Sequence, residues 1–459
     1  MKVETLALVG ATVFAVAWSP HLAFAQEAAI SEVVTDDTFD ADRVSAIEGR
    51  GYTLRPGLVV HPSMALHAGG DDNIYQQATG EGRHGSALLR LIGSVFVATD
   101  VVKPDDMGIP DPADPEQMPD VTPRTYNLRA GVQLAYDEYL SGNDTIRSQR
   151  HLNARAMLDF TLFPSGPFSV TLGDHFYRDI QSPNFETSQT LDRDDNRANV
   201  AAGFRSDGNT VSSLLYYENW LQVFENSELG DFGNRMNHKI GMLSGWQWQP
   251  VTRFMFDISY GFYGPLGTSL LYGMPYKSKS RPLRMVAGMA TQVTELVNLK
   301  AHIGYARASY DRGEGYSDPL AGAELGLRWS TTGRLVILYD FDNFDALNSN
   351  FYRDTTFAAK AIQQVGNVIF DGGPELHLRH YRGIPMVVGD ADRDDVIAAV
   401  LARIQLLFAD QFSLSAEYRF ATVQTDYRAT VRDATGNPVG MDDPSYTRNA
   451  FMLGLRVAY

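Results

Sequence analysis

Arginines stand at the polar positions of segments in which polar and apolar residues alternate. Arg90, Arg129, Arg155, Arg197, Arg205, Arg253 and Arg284 do so in the first two thirds of the chain, and Arg328, Arg334, Arg379, Arg403, Arg419 and Arg456 in the last third. Lys239 and Lys300 share these positions, as do fewer acids: Asp137, Asp159, Asp257, Glu324, Asp340, Glu375 and Glu417. One face of the alternating segments is therefore expected to be net cationic, although the whole chain carries −16. A guanidinium presents several donors in a fixed fork that fits carboxylates and sugar oxygens. Such a face would pass anionic or hydroxyl-rich solutes. The competing reading is structural, with arginine and acid on neighbouring strands pairing to stiffen a wall.

Catalytic chemistry finds little to work with. His151, His175, His302 and His377 fall on the polar face, but none has a serine in a local motif of the kind a Ser-His-acid site needs. Asp174-His175 stands alone and reads as an outer-rim pair. There are no cysteines, which excludes thiolate metal sites and disulfides, and no His-x-x-x-His spacing. Gly69-Gly70-Asp71-Asp72-Asn73 looks like a fragment of a calcium loop, yet the later glutamate is missing, and a tight outer turn is the better reading. No enzymatic reaction, metal or cofactor is expected.

The elements that carry the arginines have a period of two. Tyr126, Leu128, Ala130, Val132, Leu134 and Tyr136 alternate with Asn127, Arg129, Gly131, Gln133 and Ala135. Phe412, Leu414, Ala416, Tyr418 and Phe420 alternate with Ser413, Ser415, Glu417 and Arg419. Eighteen such segments begin near residues 57, 86, 125, 151, 168, 195, 210, 235, 252, 282, 297, 320, 334, 352, 374, 395, 412 and 446. The seventh, Thr210–Leu221, and the fourteenth, Tyr352–Ile362, alternate poorly, so the range is sixteen to twenty. Six connections are short and all follow even-numbered segments: 163–167, 206–209, 249–251, 293–296, 331–333 and 409–411. Those after odd-numbered segments are mostly longer and polar. The exception is 100–124, proline-rich and acidic, which by parity is periplasmic. Aromatics gather at both ends of the segments, as amphipathic rings do at headgroup depth. The expected fold is all-β: a transmembrane antiparallel up-and-down β-barrel of about eighteen strands. Alternation halves the apparent hydrophobicity of such strands, so a low mean hydropathy does not count against a membrane. A cylinder this wide leaves a wet lumen unless loops plug it.

The two ends of the chain fit that picture. Lys2, the apolar stretch Leu6–Trp18 and Ala23-Phe24-Ala25 form a signal-peptide pattern. The expected organisation is a signal peptide over 1–25, a flexible periplasmic segment over 26–50 and the barrel over 51–459, in the outer membrane of a Gram-negative bacterium. The acidic total argues against nucleic acid as a partner. The final residues place Phe451, Leu453, Leu455, Val457 and Tyr459 on one face. Gly454, Val457 and Tyr459 resemble the C-terminal signal read by barrel-assembly machinery, with Met452 where that pattern usually has a polar residue.

Gly51-Tyr52-Thr53-Leu54-Arg55-Pro56-Gly57-Leu58, Asp71-Asp72-Asn73-Ile74-Tyr75 and Thr79-Gly80-Glu81 resemble the opening of an outer-membrane beta-barrel porin family associated with exopolysaccharide and capsule export. The match covers about thirty residues. It implies export of a polysaccharide through the outer membrane beside a periplasmic polysaccharide-export protein. A general diffusion porin for small solutes and a structural or adhesive surface barrel are the alternatives.

Overall fold

The computed structural model describes residues 51–459 except 56, 77–83, 100–124, 180–192, 207, 209, 226–233, 267–269, 272–273, 276–277, 347–348, 383–391, 410, 428, 433–437 and 443–444. The expectations for 1–50 and for the 100–124 connection lie outside these residues. Eighteen strands, β1 to β18, run Leu58–Asp71, Ser86–Ala98, Tyr126–Leu140, His151–Leu162, Phe168–Asp179, Arg193–Arg205, Val211–Phe224, Arg235–Gln249, Thr252–Pro265, Ser280–Thr294, Val297–Tyr310, Tyr316–Ser330, Gly333–Asp345, Phe351–Val365, Val368–Arg382, Arg393–Ala409, Phe412–Thr425 and Tyr446–Ala458. Each pairs antiparallel with its neighbours in sequence, and β18 pairs with β1 to close the barrel. Closure satisfies the edge groups that lipid cannot.

Alternation places an apolar face outward. Leu89, Leu91 and Val95 of β2, Val132 and Leu134 of β3, and Leu453, Leu455 and Val457 of β18 are all exposed. Phe163, Phe168, Phe204, Trp246, Trp248, Trp329, Phe408 and Phe412 ring the end with the short turns. Tyr136, Tyr217, Tyr305 and Tyr418 ring the other end, where their hydroxyls contact Glu138, His238, Ser317 and Asn449. Two aromatic girdles around an apolar band, on an even number of antiparallel strands, make this an outer-membrane barrel of a Gram-negative bacterium. Ile303, midway along β11, is 70% exposed on that band. Ile303→Arg is expected to cost about 2–4 kcal/mol, the price of a cation at mid-bilayer, in urea titrations of the barrel folded in liposomes. An unchanged midpoint would mean that β11 does not face lipid.

Both poorly alternating segments are strands. In β7 the cause is Leu214, Tyr216, Trp220 and Phe224, apolar side chains on the inward face. β15 starts at Val368 rather than near 374, after a two-residue turn in which Gly366 has φ +58. Pro374 lies within β15 because the β14 ladder skips it: pairing passes from Ala358–Glu375 to Ala361–Gly372. β12 likewise begins at Tyr316, four residues before its expected start near 320.

The seam between β1 and β18 is the place where the chain's two ends must meet. Its ladder runs only from Ser63–Ala458 to Asp71–Ala450, whereas β1 pairs with β2 from Val59 to Asp71. At the periplasmic end a short strand, Tyr52–Arg55, pairs with Leu58, Val59 and Val60 and so continues the line of β18 past the chain terminus. Tyr52 stacks on Tyr459 with centroids 3.9 Å apart, and Arg55 Nη2 donates to Tyr126 Oη. At the outer end Asp71, Asp72 and Asn73 grip Arg448, Asn449 and Thr447.

Candidate functional site

The inward face of the wall is the candidate site. Its residues alternate with the lipid-facing ones, and the arginines and acids named from the sequence fall at these alternate positions. The structure shows what each meets. Arg90 makes a two-pronged pair with Asp137, 2.6 and 2.8 Å, and His151 approaches the same carboxylate at 3.2 Å. Arg129 lies directly opposite Asp159, which also meets His175 Nε2 at 3.0 Å. Arg155 lies over the Tyr177 ring. Lys300 pairs with Glu324 at 2.8 Å, Arg419 with Glu417 at 2.5 Å, Arg284 with Asp342 and Arg403 with Asp371. Arg253 and Arg456 donate to Ser212 and Ser63. Arg328 stands directly across from Arg334.

Inward glycines let side chains reach over an intervening strand. Gly322 of β12 lies between His302 of β11 and Asp340 of β13, which approach to 3.4 Å. A Cβ at Gly322 would fall 2.2 Å from the His302 ring. Tyr216 of β7 likewise passes over Gly241 of β8 to donate to Asp257 of β9 at 3.2 Å. Asp174, beside inward His175, faces outward and accepts from Asn196.

Two environments divide this wall. Toward the outer end the pairs are buried: His377, flanked by Asp354 at 3.0 Å and Glu375 at 2.7 Å, is 1% exposed. At mid-height and toward the periplasm water reaches more of the wall: the Asp340, Asp371 and Arg253 side chains are themselves buried, but those of Lys300 and Glu324 keep 35% and 29% of their accessible surface. The periplasmic half, with Arg129, Arg205, Arg253, Arg328, Arg334 and Arg456, carries more cations than acids.

Several ionic residues of the wall escaped sequence reasoning. Arg193 and Arg393 precede the expected starts of their strands, yet each pairs with the acid two residues on, Asp195 and Asp395, at 2.6 Å. The repeated Arg-Asp-Asp at 193–195 and 393–395 was the available signal.

No family model matches the chain, and no curated protein sequence matches it. Among solved structures it is similar to the outer membrane protein OpdK of Pseudomonas aeruginosa, at 8% identity, covering 87% of this chain and 99% of that one, with a TM-score of 0.44. OccAB2 of Acinetobacter baumannii is similar at 9% identity, 88% and 98% coverage and a TM-score of 0.47. The FrpB iron transporter of Neisseria meningitidis is similar at 9% identity, 92% and 83% coverage and a TM-score of 0.44. The barrel fold itself stands on the closed strand ladders.

Proposed function

We propose that the barrel is a channel for small hydrophilic solutes with a preference for anions. The observation that carries this reading is the wet inner wall at Lys300 and Glu324. A filled interior would bury such a pair, and a barrel of eighteen strands is too wide for its own side chains to fill. The cationic excess of the periplasmic half supplies the sign. Passage involves no reaction: solutes exchange hydration for donors on the wall and leave again, which requires weak and repeated contacts. In a planar bilayer under a salt gradient the reversal potential is expected to lie on the anion side. Exchanging both Arg328 and Arg334 for glutamate is expected to move it toward the cation side. A folded barrel indifferent to that exchange would sink the preference for anions.

Polysaccharide export, with a periplasmic export partner, is the finer reading that the resemblance implies. Its support is confined to the Gly51–Glu81 stretch. Much of that stretch has another task, since Tyr52–Arg55 and Asp71–Asn73 close the seam. The small-solute reading is therefore preferred. As in other barrels, Gly454, Val457 and Tyr459 would be the strand offered to the assembly machinery.

A further inference from the structure

We infer that the hairpin joining β13 to β14 is tucked inside the barrel's outer mouth and sets the size limit of the channel. This rests on the channel reading. The first observation is a ladder that stops early. β12 and β13 pair as far as Ala321–Phe341, yet β12 runs on to Tyr316 and β13 to Asp345. From Asp342 onward β13 keeps its ladder with β14 but leaves the wall on the other side.

The second observation is a face that ends up on the wrong side. On β13, Ile337 and Tyr339 face lipid. The same face continues through Asp345 and, across the hairpin, Phe351 and Arg353. Yet these three touch residues on the inward face of other strands. Asp345 accepts from Arg235 of β8 at 3.0 Å and from Tyr310 of β11 at 3.3 Å. Arg353 donates to Asp318 of β12 at 2.7 Å. Phe351 is 3% exposed and packs with Ala306, Ala308, Tyr316 and Leu320.

A strand cannot exchange its faces while holding its register. The described arms of the hairpin, 342–346 and 349–353, must therefore lie against the inner surface of the wall. β8 and β13 are five strands apart, roughly 24 Å along the sheet at the usual spacing, so the Arg235–Asp345 pair crosses the mouth rather than following the wall. The small residues Ala306 and Ala308 on β11 leave the room that Phe351 occupies. Within the hairpin, Asn350 Nδ2 donates to the carbonyls of Arg312 and Glu314 in the β11–β12 connection, at 2.8 and 3.0 Å. Arg235 is fixed from behind, its guanidinium 4.6 Å from the centre of the Trp220 ring.

The tuck removes part of the mouth from conduction. Solutes pass beside the hairpin, and a bulky polymer is excluded while the hairpin stays in place. The test compares the full barrel with two variants in planar bilayers, reading single-channel conductance and the largest neutral polyethylene glycol that enters. Asp345→Ala with Arg353→Ala removes two pins. A second variant replaces residues 344–352 by Asn-Gly, which removes the tucked tip and keeps the β13–β14 ladder from Asn343–Arg353 inward. Heat-modifiable mobility on gels verifies that each has folded. The expected result is a rise in conductance of about twofold or more and a larger polymer cutoff, because the narrowest section sets both. A silent native barrel that conducts once shortened would support the inference equally, as a closed plug. Native conductance and cutoff in folded, conducting variants would overturn the hairpin's role and leave the channel reading standing. Silence of every folded barrel, shortened included, would overturn both.

Discussion

Replacing Asp71 by alanine is expected to destabilise the barrel by about 3–5 kcal/mol, the range for breaking one side of a buried ion pair. Asp71 Oδ2 takes the Arg448 Nε at 2.7 Å, and Asp71 Oδ1 takes the Asn73 backbone N–H at 2.9 Å. The two side chains of the pair are 5% and 13% exposed. The substitution therefore removes the carboxylate from a guanidinium that has little water to replace it. It does so at the seam, where the ladder is shorter than the one between β1 and β2. Asp72→Ala is a useful contrast. It removes the acceptors of two Asn449 hydrogen bonds, each 2.7 Å, and is expected to cost about 1–3 kcal/mol. Guanidinium titration of the liposome-folded protein reads both, and the temperature of the gel mobility shift should fall in the same order. An Asp71→Ala barrel as stable as the native one would mean that the seam is held elsewhere, by its backbone ladder and the Tyr52–Tyr459 stack.

The same corner shows how far the sequence could be read. Asp71-Asp72-Asn73 was conspicuous as a calcium-like fragment, but its partners lie more than 370 residues away in sequence. Only closure of the barrel brings them together. The strands themselves were legible because alternation is a local property imposed by the pleat. It weakened where the interior departs from a plain polar lining. Leu214 and Tyr216 face inward beside outward Leu215 and Tyr217, and four apolar residues in a row hide the period. Pro374 concealed the start of β15, since proline within a strand normally argues against one. It is tolerated because the ladder toward β14 opens at that point. The Gly366-Asn367 turn just before it was a readable signal.

The tucked hairpin left only a faint trace in the sequence. Apolar residues hold the lipid face through Ile337, Tyr339 and Phe341, and then the pattern inverts: Asn343 and Asp345 are polar where parity expects lipid, and Phe344 is apolar on the other face. What turns the hairpin inward is a set of long-range partners, Arg235, Tyr310 and Asp318, none of which local patterning can associate with it. The arginines of the inner wall were half legible for a related reason. Their face follows from alternation. Whether an arginine is buried against an acid or left in water depends on how the interior is filled at its height.

That distinction can be measured, and Asp354→Ala is the sharper probe. Asp354 of β14 accepts from Arg379 Nε at 2.8 Å and meets His377 Nδ1 at 3.0 Å. All three are 6% exposed or less. Asp354 also stands directly across from Asp342, an arrangement that would be repulsive alone. It is stable because each acid faces an arginine from another strand, Arg379 for one and Arg284 for the other. Removing Asp354 leaves a buried guanidinium and imidazole without their shared carboxylate. The expected loss is about 3–5 kcal/mol, with Asp354→Asn milder because it keeps one acceptor. Lys300→Ala, on the wet part of the wall, is expected to cost under about 1 kcal/mol, as partly exposed pairs do, and to act on ion selectivity instead. Equal and small losses at both positions would mean that the outer half is as wet as the rest. A large loss at Asp354 alone would assign the two readings of the arginine face to different heights. Pairing would stiffen the outer wall, and the periplasmic half would set the charge preference of what passes.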